Sequence, residues 1–237
     1  MNRTFSRREA LGLLGAASAA LAAACGSSPT TPSTTTSSSS TGGTTTASSC
    51  AVSPEETAGP YPDRTGMIGN SAFYRQDITE GKSGLPLTLA LTIVNVRNNC
   101  APVANATVEI WQCDATGNYS EYGNSVGQTF LRGLQTTDSS GIVTFKTIYP
   151  GWYMGRATHI HLEVFVSGAT VKTTQIAFPE AVSSAVYRTG VYASHGQNST
   201  TNSGDNVFSD GTDHELATLS GDTSSGYTAA LAVGISV

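Results

Sequence analysis

Leu85, Leu87, Leu89, Leu91 and Ile93 alternate with small or polar residues over nine positions. Only an extended strand lays every second side chain on one face, so the pattern predicts a half-buried β-strand, closed by the turn signal Arg97-Asn98-Asn99. The same reasoning predicts strands over residues 107–112, 130–136 and 142–148, the last two paired as a hairpin through Asp138-Ser139-Ser140-Gly141. Further strands are expected from residue 159 through 166, over 172–178 and in an alternating segment at 228–237. No long amphipathic helix and no internal repeat is visible. Short strands separated by turns imply an all-β fold, an antiparallel β-sandwich with a loop-rich functional region.

The first fifty residues do not belong to that pattern. Residues 1–25 read as an export signal, with Arg3, Arg7 and Arg8 ahead of a short apolar stretch from Leu11 to Ala24. That stretch is too short for a membrane span. Ser6-Arg7-Arg8-Glu9-Ala10-Leu11 resembles a twin-arginine signal, and Leu21-Ala22-Ala23-Ala24-Cys25 resembles a lipobox with Cys25 as the lipid-bearing residue. Ala22 stands where the commonest lipobox has Leu, which leaves simple cleavage and release as the alternative. Residues 26–49 are almost entirely Ser, Thr, Gly, Pro and Ala, and lack the apolar area that would offset the entropy of ordering them. They read as a flexible tether, and residues 50–237 as one folded domain. The protein is expected outside the cytoplasm, with a lipid anchor at Cys25 as its only membrane contact. Charged residues make up 12% of the chain and the net charge is −5, so no basic patch interleaved with aromatics is available to nucleic acid. With Cys25 set aside, Cys50, Cys100 and Cys113 remain, and an oxidising compartment implies one disulfide and one free thiol. Cys100 with Cys113 is the preferred pair on loop length, and a bridge from Cys50 to either stays open.

The chemistry concentrates in Tyr153-Met154-Gly155-Arg156-Ala157-Thr158-His159-Ile160-His161. In a strand, His159 and His161 face the same way and can grip one metal ion, while Ile160, Leu162, Val164 and Val166 supply an apolar face. A His-x-His pair alone suits zinc, copper, manganese or iron. Taken singly, Tyr119 is equally a packed loop aromatic, Tyr153 a turn-closing one, and Arg156 an ion-pair partner of Glu163 or Asp114. His195 and His214 lie in polar loops and read as surface residues, and Trp111 and Trp152 as pocket walls or core.

Four ordered blocks across residues 51–237 resemble the intradiol ring-cleavage dioxygenases, the family of catechol and protocatechuate 3,4-dioxygenases. They are Thr57-Ala58-Gly59-Pro60-Tyr61, Trp111 to Tyr119, Phe145 to Tyr153, and Arg156-Ala157-Thr158-His159-Ile160-His161. The resemblance implies a non-haem Fe(III) cofactor with Tyr119, Tyr153, His159 and His161 as ligands, since anionic phenolate oxygens favour the ferric state. It implies a catechol-type substrate and O2, opened between the two hydroxylated carbons to a muconate-type diacid. Tyr153 would leave the iron and act as base, Arg156 would stabilise charge on the substrate, and Gln175 would lie near it. One departure stands out: only five residues separate Tyr153 from His159, fewer than in the best-known protocatechuate enzymes, which bears on substrate choice. The oligomeric state is not implied. The alternative from another class is a non-catalytic extracytoplasmic binding module on the same sandwich.

Overall fold

A computed structural model describes residues 50–237; the export signal, the lipobox at Cys25 and the tether lie outside the described residues. Two sheets face one another. The first is built on β1 (Pro86–Asn95), which pairs antiparallel with β5 (Ile142–Ile148) and, at its end, with β2 (Ala101–Pro102). Its other edge takes β9 (Gly226–Ile235) in parallel, and β9 pairs with β8 (Thr218–Asp222). The second sheet runs in the order β4 (Arg132–Thr136), β3 (Thr107–Trp111), β6 (His159–Val166), β7 (Ala169–Ala177), all antiparallel. The one α-helix among the described residues, α1 (Glu180–Val186), is short and follows β7. The fold is the all-β sandwich that the period-2 pattern implies, with the β1–β9 pair as its one parallel contact among the described strands.

The alternation in β1 does what it predicts. Leu87, Leu89, Leu91 and Ile93 are all buried, facing Val108, Ile110, Ile160, Leu162 and Val164 within one apolar cluster. Each such side chain contributes roughly 1.5–3 kcal/mol on burial. Gln112 joins the layers, its amide donating to the Ile148 carbonyl at 2.9 Å and accepting from Thr147 Oγ1 at 3.0 Å.

Two expectations are corrected. The turn at Asp138–Gly141 is real, with Ser140 and Ile142 N–H groups donating to Asp138 Oδ1 at 2.8 and 2.9 Å. It does not make a hairpin, because β4 pairs with β3 while β5 pairs with β1 over seven residues. The turn carries the chain from one sheet to the other. Alternating strands beside a tight turn do not specify their partners, and here the two strands enter different sheets. The disulfide joins Cys50 to Cys100, not Cys100 to Cys113. Among the described residues Cys113 is the buried free thiol, packed against Trp111 and Tyr119; short loop length is outweighed by where β3 carries its last residues.

That disulfide anchors a strap of chain that crosses the outer face of the second sheet. The strap bonds to β7 where Glu56 N–H donates to the Thr173 carbonyl at 2.9 Å, and reaches β4 where Arg75 N–H donates to the Leu134 carbonyl at 3.2 Å. Between those points it covers one row of side chains.

Candidate metal centre

The row is fixed by strand register. Trp111 lies opposite Arg132 on one side and His161 on the other, and His161 lies opposite Gln175. Arg132, Trp111, His161 and Gln175 therefore project from the same face, which the strap and the loops after β3 and β5 close over. All four are buried.

His159 and His161 project together from the start of β6, as two-residue spacing requires. Their Nε2 atoms lie 3.2 Å apart. Tyr119, from the turn that Asp114 organises by accepting from Thr116 and Asn118 N–H groups, brings its hydroxyl to 3.5 Å from His159 Nε2. Tyr153, from the loop after β5, brings its hydroxyl to 3.4 Å from the same nitrogen. A tight turn holds this loop, with Arg156 N–H donating to the Tyr153 carbonyl and Gly155 at φ +86°. The five-residue spacing thus suffices to put Tyr153 and His159 edge to face.

The donor atoms fit a metal ion. His159 Nδ1 is 2.6 Å from the Ala157 carbonyl, so Nδ1 carries the proton and donates it, leaving the Nε2 lone pair aimed into the cluster, as in supported ligand histidines. That one lone pair is approached by His161, Tyr119, Tyr153 and Arg156 at once, more than neutral hydrogen bonding can satisfy. Bonds of about 2.0–2.2 Å to nitrogen and oxygen place neighbouring ligands of a four-coordinate ion roughly 3.3–3.6 Å apart, close to the spacings found. Electrostatics agree. Burial and the adjacent Arg156 push His159 down to about 3, and burial with the neighbouring His159 holds His161 well below the usual range. Burial also raises both tyrosines, Tyr119 strongly and Tyr153 against the opposing pull of Arg156. Neutral imidazoles are ready donors, and a cation's field is what ionises phenols so placed.

Around the donors, Trp111 stacks on His161 with ring centroids 4.8 Å apart and an interplanar angle of 3°. Gly59, at φ +71°, lets the strap press on the other side, where an added Cβ would lie 2.7 Å from His161 Cε1. Tyr61 stacks on Tyr119 at 4.5 Å and meets Tyr153 edge-on at 5.5 Å. Arg156 does not pair with Glu163 or Asp114. Its Nε donates to both oxygens of Asp205 at 3.0 and 2.8 Å, its Nη2 to Gln175 Oε1 at 2.5 Å, and its Nη1 to the Tyr153 hydroxyl at 3.3 Å. Gln175 is tied back to the strap by donating to the Thr57 carbonyl at 2.8 Å. Asp114 instead pairs with Lys82. His195 is half-buried rather than a surface residue, its Nε2 donating to the Trp152 carbonyl at 2.8 Å, and His214 is half-buried as well.

Sequence reasoning missed Asp205 and Arg132. Asp205 stands in a polar loop 49 residues after the arginine it holds, with no local pattern to single it out. Arg132 is fully buried, donating to Ser120 and to the Tyr61 carbonyl. A lone arginine inside the strand predicted over 130–136 is the available signal, and it does not separate a buried role from an edge one.

The fold and the row of donors define a β-sandwich with a candidate metal centre under a strap, and comparison with known proteins gives its family. The family model described as dioxygenase matches residues 58–185, more than half of the chain. Over 93 residues the chain is 32% identical to catechol 1,2-dioxygenase 2 of Acinetobacter lwoffii, covering 32% of this chain and 34% of that protein. A catechol 1,2-dioxygenase of Candida albicans is 34% identical over 94 residues, covering 32% and 31%. The matches thus span about a third of the length of these curated relatives. Among solved structures, an intradiol ring-cleavage dioxygenase from Tetranychus urticae superposes with a TM-score of 0.72 at 29% identity, over 79% of this chain and 95% of that one. The dioxygenase domain of a carbohydrate-binding fusion from Streptomyces sp. SirexAA-E gives 0.59 at 26% identity, over 79% and 99%. The chain belongs to the intradiol ring-cleavage dioxygenase family.

Proposed function

We propose that the protein is an exported Fe(III)-dependent dioxygenase that opens catechol-type rings with O2, between the two hydroxylated carbons, to muconate-type diacids. The observation that carries this reading is the convergence of the Tyr119 and Tyr153 hydroxyls and His161 Nε2 on His159 Nε2 at 3.2–3.5 Å. These four residues would hold a ferric ion, which when bound would supply Lewis-acid chemistry.

The chain's own residues divide the remaining work. Tyr119 is fully buried and stacked under Tyr61, whereas Tyr153 is only half-buried beside the exposed Met154. Tyr153 is therefore the phenol free to move, and its oxygen, as phenolate, takes a proton from a substrate hydroxyl. Arg156 stands over the same place, fixed by Asp205 and Gln175, so its Nη1 offers positive charge to the oxygens on which negative charge grows. Because it is held before substrate arrives, little reorganisation is needed at the moment of reaction. Tyr61, Tyr122, Trp111 and Ala58 form an aromatic and apolar wall suited to a planar ring.

Export is supported by the Cys50–Cys100 disulfide, which persists in oxidising compartments. Mass spectrometry of the mature N-terminus tests whether Cys25 carries lipid. The enzyme reading is tested by colour and turnover. Tyrosinate bound to ferric iron absorbs visible light, so the purified, iron-loaded protein is expected to be burgundy to red. The band should shift on anaerobic addition of catechol, and oxygen uptake should follow on admitting air. Protein that stays colourless and inactive after reconstitution with iron would falsify it.

A further inference from the structure

Two residues along β3 and β6 from the Trp111–His161 pair, and so on the same face, Glu109 lies directly opposite Glu163. Two carboxylates facing across an antiparallel pair destabilise a sheet when both are ionised, so the pair must hold either a shared proton or a cation. Glu109 is only 5% exposed, yet its carboxylate accepts no hydrogen bond from any described residue. Glu163 accepts one weak bond, from Thr173 Oγ1 at 3.3 Å. Arg132 acts on Glu109 only through space, its ion-pair partner being Glu121 at 3.6 Å. Burial and the facing Glu163 push Glu109 up to about 8.

Both carboxylates open on a cavity of about 220 Å³ between the sheet and the strap. Its other walls are the Trp111 and Phe165 rings with Met67 and Ile68. Asp63 also borders it, but its oxygens are spent on the N–H groups of Thr65, Gly66 and Met67. A calcium ion needs about six to eight oxygens, and two carboxylates among apolar walls do not provide them. An organic cation needs what is present: acceptors for its N–H donors, aromatic faces for its charge, and apolar surface for its chain.

We infer that this cavity binds a protonated alkyl amine, whose ammonium sits between the Glu109 and Glu163 carboxylates with its chain against Trp111 and Phe165. The site adjoins the donor cluster through Trp111, and the inference does not depend on the ring-cleavage reading. Trp111 is a wall of the cavity and also the ring stacked on His161, so occupancy is expected to register in its fluorescence.

The test titrates the full-length protein with n-butylammonium chloride, with calcium chloride and with sodium chloride at matched ionic strength. Tryptophan fluorescence and melting temperature are followed. The expected result is a saturable fluorescence change and a rise in melting temperature with n-butylammonium alone, weakened at least about 10-fold in Glu109→Gln, which replaces the carboxyl, able to give up its proton when the cation binds, by an amide of the same shape. Glu163→Gln, at a half-buried position, provides the second variant and should weaken binding likewise. A lysine-containing peptide that binds more tightly than n-butylammonium identifies a protein side chain as the source of the amine. Equal or weaker peptide binding identifies a free amine. No saturable response in the wild type, an undiminished response in both variants, or a response to calcium alone would overturn the inference.

Discussion

At the start of β6 the two faces are buried to nearly the same degree and do opposite things. Ile160, Leu162 and Val164 are 0% exposed on one face, and His159 and His161 are 3% and 0% exposed on the other. The first set meets the side chains of β1, where every contact is apolar and interchangeable in kind. The second meets Trp111, two phenols and a fixed guanidinium, where each contact is specific in atom and angle. Burial alone therefore does not separate a core from a site. What separates them is whether the buried atoms have partners that a folded, metal-free chain can satisfy.

The largest expected effect breaks the donor face alone. His161→Ala should lower iron content and kcat/KM by more than about 100-fold, since losing even the outer partners of a metal ligand costs 10–100-fold. Far-ultraviolet circular dichroism should still report the sandwich. Retention of full activity would remove His161 from the ligand set, and Tyr119→Phe offers the same check from another element. Leu162→Ala, on the facing side, should do the reverse. It should cost about 2–5 kcal/mol of stability, from lost transfer energy and the cavity left behind, while the visible absorption per folded molecule stays unchanged. Denaturant melts followed at both a visible and an ultraviolet wavelength distinguish the two variants. If Leu162→Ala bleached the protein before unfolding it, the faces would not be independent.

A subtler change tests how far the donor face depends on its supports. Asp205→Asn keeps size but converts an oxygen that accepts from Arg156 Nε and the Ala157 N–H into a donor facing donors. The expected result is a 10–100-fold fall in kcat/KM with iron content nearly intact, because Arg156 rather than a ligand loses its anchor. Steady-state kinetics beside iron analysis decide it, and an equal loss of iron would move Asp205 from positioning the arginine to holding the centre together.

Local pattern carried most of the apolar face, missing only at its ends where Leu85 and Val166 are half-buried, and the donor face in part. Alternation set the burial of Leu87 to Ile93, and the His-x-His spacing set a shared direction for two side chains. Tyr119 and Tyr153 were legible only through motif resemblance, because an aromatic in a loop has no periodicity. Strand partners were the weakest link. Nothing near Gly141 shows that β5 leaves β4 for β1, and nothing near Cys100 shows that its partner is 50 residues earlier, since both depend on how the layers stack. Asp205 escaped for the same reason: it acts on Arg156 through the fold.

The smallest expected effect tests whether the donor face is packed as tightly as the apolar one. Gly59 holds φ +71°, and an added Cβ would meet His161 Cε1 at 2.7 Å, closer than ordinary contacts allow. The imidazole has no easy retreat, because Trp111 stacks on its plane at an interplanar angle of 3°. Gly59→Ala should therefore cost about 1–2 kcal/mol from the left-handed backbone alone, and lower iron affinity roughly tenfold through displacement of His161. The backbone cost appears in the melting of the metal-free protein, and the displacement only in metal titration. A variant that loses the stability but binds iron as tightly as the parent would show slack around His161. The donor face would then tolerate a shift that the close-packed face behind it does not.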